Sequence, residues 1–278
     1  VVKKQKLIKI AQSIGCRLSV VGGQIIMKQI PNLFTLLNLI LGCMAIVCIL
    51  QNGISIQYTP EGAQYIDIPE KIVMASLFIG LAAVVDFLDG FVARLFNAAS
   101  EMGKQLDSLA DVVSFGVAPS MIIYQFLRMS FARGENGIET GIIWLAPAFI
   151  LAAAGAYRLA RFNIDNSQQY GFKGVPIPAA GLLIASFPLI YWHSTNETIT
   201  SLLFNKWFLY GVIMLVSWLM VSKLPLMAMK FKNLSVKDNL PKIILVIFSI
   251  LAVVLLKWLA VPVIFIGYII LSLLFKNK

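Results

Sequence analysis

Eight apolar runs divide this chain, and most of them approach the roughly 20 residues that a helix needs to cross a hydrocarbon layer. They are Leu33 to Leu50, Ile72 to about Phe96, Leu109 to Met129, Ile142 to Ala156, Ile177 to Trp192, Trp207 to Val221, Ile243 to Leu256 and Leu259 to Phe275. Inside a bilayer no water is at hand for backbone N–H and C=O groups, so such runs must pair those groups internally, as helices. The sequence therefore predicts an all-α fold, a polytopic membrane helix bundle of about eight transmembrane helices. With 59% hydrophobic and 13% charged residues among 278, no stretch is left for a separate soluble domain. The seventh run is short and Pro241 suits a helix start, so the last two runs are expected as a tilted hairpin.

The formal net charge is +10. The lysines and arginines lie in short segments between apolar runs, not on a basic face interleaved with exposed aromatics, which argues against nucleic acid and for membrane lipids as the partner. If the N-terminus is inside, 18 of the 23 basic residues fall in inner segments. Because cytoplasmic loops retain lysine and arginine, both termini are expected at the cytoplasmic face of the cell (inner) membrane. Residues 1–26 are basic and precede Met27; they are expected to be an interfacial helix or sequence ahead of a natural start at Met27. Cys16, Cys43 and Cys48 have no metal-ligand spacing and are expected as small buried side chains. His193, the single histidine, is expected at the outer membrane interface, and Pro119 is expected to bend the third span.

Four carboxylates interrupt this apolar pattern. Asp86 and Asp89 are three apart near the end of one apolar helix; Asp107 and Asp111 are four apart near the start of the next, so each pair shares a helix face. A short connection from about Asn97 to Met102 makes the two helices antiparallel and lets the pairs face each other at the inner surface. One such acid could be a headgroup-solvated charge paired with Arg94 or Lys104, but four in register need a compensating cation. Oxygen ligands without histidine or thiolate point to magnesium, manganese or calcium, which would hold a diphosphate. Gly90 and Gly103 leave the helix backbone approachable, Ala93 keeps that face low, and Arg94 can bond phosphate or an aspartate. Asp111, last in the series, is the candidate general base.

The stretch from Asp86 to Asp111 matches at every fixed position D-x2-D-G-x2-A-R-x8-G-x3-D-x3-D, and so closely resembles the CDP-alcohol phosphotransferase family. The resemblance implies metal ligation by Asp86, Asp89 and Asp107, with Asp111 the catalytic base sharing a second ion. It implies a CDP pocket lined by Gly90, Arg94 and Gly103, with Ser100 as a phosphate donor. The segment Pro31-Asn32-Leu-Phe-Thr35-Leu-Leu-Asn38 looks like the opening of family members, whose polar residues border the nucleotide site, which brings in Asn32 and Thr35. The likeness covers roughly the first 235 residues. It implies residues 27–235 as the phosphotransferase membrane domain, after the 1–26 extension, with a peripheral C-terminal transmembrane hairpin at 236–278. It also implies a homodimer.

The continuation Ser114-Phe115-Gly116-Val-Ala-Pro119, together with Tyr157-Arg158-Leu-Ala-Arg161-Phe162-Asn163 and Gly174-Val-Pro176-Ile-Pro178, resembles the branch of that family whose acceptor is serine. The expected reaction is transfer of a phosphatidyl group from CDP-diacylglycerol to L-serine, giving phosphatidylserine and CMP. Arg158 and Arg161 lie three apart on one helix face beside Asn163, where they can pair with a serine carboxylate or a lipid phosphate; positive-inside anchoring is the other reading. Glycerol phosphate, inositol phosphate or choline remain alternative acceptors, and a cation-binding transporter is the rival of a different class.

Overall fold

The computed structural model describes residues 29–51, 55–58, 64–67, 71–95, 100–133, 140–164, 172–227 and 236–275. The expectation for residues 1–26, that for Cys16 and part of the connection before Met102 lie outside them. In chain order the elements are α1 (Gln29–Leu50), a ribbon of β1 (Ser55–Tyr58) and β2 (Gln64–Asp67), α2 (Lys71–Leu95), α3 (Glu101–Ala132) and α4 (Ile142–Ile164). A two-residue strand β3 (Phe172–Lys173), α5 (Ile177–His193), α6 (Glu197–Leu203) and α7 (Lys206–Val221) follow. The two-residue β4 (Pro225–Leu226), paired with β3, leads to α8 (Val236–Leu256) and α9 (Ala260–Leu274).

Among the described residues each of the eight apolar runs falls in a helix but for a residue at the ends of some; α6 is a ninth helix, started by Asn196, whose side chain accepts from the Thr198 amide. The helices α1 to α4 and the α8–α9 unit are long and apolar enough to cross a membrane, and the pair α6 and α7, bent by 65°, would make a sixth span. The chain is an integral membrane protein. Its outward faces are apolar because their solvent is hydrocarbon: on α2, Met74, Leu77, Leu81, Val84, Leu88, Phe91 and Leu95 recur every three or four residues and are all exposed. Cys43 also lies on an exposed face, contrary to its expected burial, and Cys48 is half-buried; both are free thiols.

The central helix is α5, apolar all round and buried along most of its length, as a helix packed on every side should be. It lies against α2, α3 and α9. Small residues set the tightest approaches: a Cβ on Gly181 would lie 2.9 Å from the Phe115 backbone, and one on Gly42 would run into Ser114, 2.8 Å from its Cα. Such contacts bring helices together where side chains would hold them apart. Pro119 has no N–H for the Phe115 carbonyl, and just ahead of it α3 widens into a π turn over Val112–Val117, directly after Asp111.

The terminal helices double back at Lys257, whose φ is 50°. A Cβ on Gly267 of α9 would meet the Phe248 ring of α8 at 2.6 Å, so the two helices form the expected hairpin. One end of that hairpin is fastened to the rest of the bundle by Trp258, 5.7 Å from the His193 ring. At the other end Tyr268 Oη donates to the Met227 carbonyl at 3.0 Å, and the Met227 amide donates to Ser272 Oγ at 3.2 Å.

Candidate active site

The carboxylates converge. Asp86, Asp89 and Asp107 each present an oxygen within 4.8 Å of the others, because antiparallel α2 and α3 turn the face bearing each pair toward the other. Asp111 stands outside that trio, 6% exposed, with its carboxyl in hydrogen-bond range of Asp86. Such proximity of like charges calls for a shared proton or a cation between them, and an all-oxygen donor set suits a hard divalent ion. Three converging carboxylates, one of them (Asp89) only 6% exposed, fit that requirement.

The first helix braces two of these acids. Thr35 Oγ1 donates to Asp89 Oδ2 at 2.7 Å, and Asn38 Nδ2 reaches Asp111 Oδ1 at 3.5 Å. Asn38 is fully buried, its carbonyl accepting from Ser114 Oγ at 2.9 Å, while its side-chain Oδ1 has no hydrogen-bond partner. Thr35 is expected to border the nucleotide site; its hydroxyl donates to Asp89 and so orients that carboxylate. Thr35→Val, which keeps the shape and removes the hydroxyl, should weaken Mn2+ binding by about tenfold, with Thr35→Ser retaining most of it. Titration followed by electron paramagnetic resonance of free Mn2+ reads this directly; equal affinity in the valine variant would remove the bracing role.

Among the residues expected to line the CDP pocket, a Cβ on Gly90 would meet nothing within 4 Å, so the backbone there faces open space. Ala93 is half-buried and Arg94 exposed in the last turn of α2. Asn32 and Ser100 gather at Gly103, where an added Cβ would lie 3.0 Å from Asn32 Oδ1 and 3.1 Å from Ser100 Oγ. Ser100 is the N-cap of α3, its Oγ accepting from the Gly103 amide at 3.0 Å, which leaves its own proton to donate.

The three polar residues near the end of α4 separate in role. Arg161 Nη1 donates to the Val221 carbonyl at 3.0 Å, tying α4 to α7. Asn163 Nδ2 donates to Ser108 Oγ at 2.8 Å, and Lys104 Nζ donates to the Asn163 carbonyl at 3.1 Å, tying α4 to α3. Arg158 is 7% exposed, its guanidinium 5.6 Å from the Phe162 ring, with a buried Nε that has no hydrogen-bond partner. It lies within the electrostatic reach of the Asp111 carboxylate. A buried cation without a contacting anion is costly, and is best explained by an anionic group that completes it. Sequence reasoning missed Ser108, although it sits between two motif aspartates. His193 is at the far end of the bundle from the acids, its Nδ1 2.9 Å from the Leu189 carbonyl.

This constellation belongs to enzymes that move a substituted phosphate between alcohols within a membrane, and residues 28–223 match the model of the CDP-alcohol phosphatidyltransferase family. The chain belongs to that family. It is 37% identical over 223 residues to the CDP-diacylglycerol-serine O-phosphatidyltransferase of Helicobacter pylori strain J99, the match covering 78% of each chain. It is 34% identical over 165 residues to the Bacillus subtilis enzyme of the same name, covering 59% of this chain and 78% of that one.

Proposed function

We propose that this protein transfers the phosphatidyl group of CDP-diacylglycerol to L-serine, forming phosphatidylserine and releasing CMP. The observation that carries the reading is the convergence of Asp86, Asp89 and Asp107 with Asp111 beside them, and with the buried Arg158 in the field of Asp111. Similarity to relatives named for serine supports the acceptor.

A divalent cation, Mg2+ or Mn2+ with Ca2+ able to occupy the same oxygens, would neutralise the diphosphate and polarise the phosphorus when held by Asp86, Asp89 and Asp107, with Asp111 sharing a second ion. Asn32, Ser100 and Arg94 bind the CDP part, and Gly90, Ala93 and Gly103 keep the helix faces low enough for it. Arg158 receives the serine carboxylate, and Arg161 and Asn163 hold its helix against α7 and α3. Asp111 takes the proton of the serine hydroxyl while that oxygen bonds to the lipid-side phosphorus. The phosphorus–oxygen bond to CMP breaks, and CMP leaves with the electron pair. The acyl chains stay in hydrocarbon beside the exposed apolar face of α2.

The crowding of basic residues in the inner segments supports a site and both termini facing the cytoplasm, at the inner membrane of the cell. The family resemblance supports a homodimer, a phosphotransferase unit over 27–235 and a distinct hairpin over 236–278. Purified protein given CDP-diacylglycerol, a divalent cation and one alcohol at a time should release CMP with L-serine well above glycerol phosphate, inositol phosphate or choline. Absence of serine-dependent CMP release would end the assignment.

A further inference from the structure

The first helix turns one polar line toward the acids. Thr35, Asn38 and Gly42 recur at intervals of three and four, so they share a face of α1. Thr35 ends on Asp89 of α2 and Asn38 on Asp111 of α3, while Gly42 admits the Ser114 backbone, so that Ser114 Oγ can donate to the Asn38 carbonyl at 2.9 Å. The main chain of Asn38 is thereby held to the π turn that directly follows Asp111. Asn38 is fully buried, and the two ends of its amide are unequal: Nδ2 lies 3.5 Å from Asp111 Oδ1, whereas Oδ1 has no partner. The opposite orientation would set the amide oxygen against an ionised carboxylate, so electrostatics selects this one.

We propose, resting on the reading that Asp111 is the base, that Asn38 is its positioning residue: Nδ2 fixes the direction in which Asp111 presents its carboxylate to the acceptor hydroxyl. Stability does not account for an asparagine here. A buried acceptor left without a partner costs about 1–3 kcal/mol, and an apolar side chain would avoid that cost. Among the described residues the side chain of Asn38 makes one hydrogen bond, and it goes to Asp111. The bond is long, as those of a catalytic group often are until substrate is in place. A neutral amide also suits the task. It orients the carboxylate and leaves the negative charge for the ion and the incoming proton, a charge that a lysine or arginine in the same place would neutralise.

The test compares wild type, Asn38→Leu, Asn38→Ala, Asp111→Asn, the double variant Asn38→Ala with Asp111→Asn, and Gln125→Leu in serine-dependent CMP release per folded enzyme, with a melting midpoint for each. Asn38→Leu keeps the branched shape, and Asn38→Ala cannot overpack the site. Both should lower kcat about tenfold, the size of one lost hydrogen bond to a charged group, with the KM for serine and for CDP-diacylglycerol unchanged. In the Asp111→Asn background Asn38→Ala should change the residual release by less than twofold, because it acts through that carboxylate. Gln125 Nε2 donates to the Ile49 carbonyl at 3.2 Å and ties the same two helices about 20 Å along α3 from Asp111. Gln125→Leu should lower the midpoint with kcat unchanged. A kcat within twofold of wild type in both Asn38 variants, a full tenfold loss in the Asp111→Asn background, an equal loss in Gln125→Leu, or failure of both Asn38 variants to fold would each overturn the proposal. A wild type with no serine-dependent release fails before any variant is compared, and that result sinks the functional reading itself.

Discussion

Asparagine in place of Asp111 should reduce serine-dependent CMP release by about 10³-fold, within the range expected when a general base is removed. The substitution is isosteric, and its surroundings accept it. Asn38 Oδ1 is buried beside residue 111 without a partner, and an asparagine amide there can donate to it. The variant should therefore fold with a melting midpoint at or above that of wild type, and should still bind CDP-diacylglycerol. Loss of turnover with retained stability and lipid binding separates a chemical role from a packing role. Measured by CMP release and by thermal unfolding of the same preparation, residual turnover within tenfold of wild type would remove Asp111 as the base.

The acids and the bundle were legible in the sequence because each follows from a short-range rule. Bilayer-length apolar runs specify helices whatever their neighbours are, and the three- and four-residue spacings of Asp86, Asp89, Asp107 and Asp111 fix which face each occupies. What joins distant segments was not legible. The hydrogen bond from Thr35 to Asp89 spans 54 positions, and that from Asn163 to Ser108 spans 55. No periodicity reports such a pairing. Arg158 and Arg161 look alike in sequence, both polar on one helix face, yet one ends on the Val221 carbonyl and the other is buried facing an acid. The difference is set by where the end of α7 lies. The hydrogen bond from Tyr268 to Met227 was hidden for the same reason: it depends on a hairpin folding back onto a two-residue strand. Helix α6 was missed because seven residues carry too little periodicity, although its Asn196 cap is a recognisable start signal.

Asp86→Asn should have opposite effects on stability with and without metal. Each ionised pair in the trio, with oxygens within 4.8 Å, repels by about 3.5 kcal/mol at an effective dielectric constant of about 20. Removing the charge of Asp86 relieves its repulsion with Asp89 and Asp107 and that with Asp111. In the presence of a chelator the variant should therefore melt above wild type, by roughly 5 °C if even part of that energy is realised. Wild type should gain stability on adding Mn2+, by about 2.7 kcal/mol at a hundredfold excess over Kd, whereas the variant, with one ligand lost, should gain far less. The two melting curves should cross as Mn2+ is added, and turnover should be lost in the variant at every Mn2+ concentration. A structural carboxylate at position 86 predicts the reverse: lower stability in chelator and an undiminished Mn2+ shift, a result incompatible with an ion shared among the three acids.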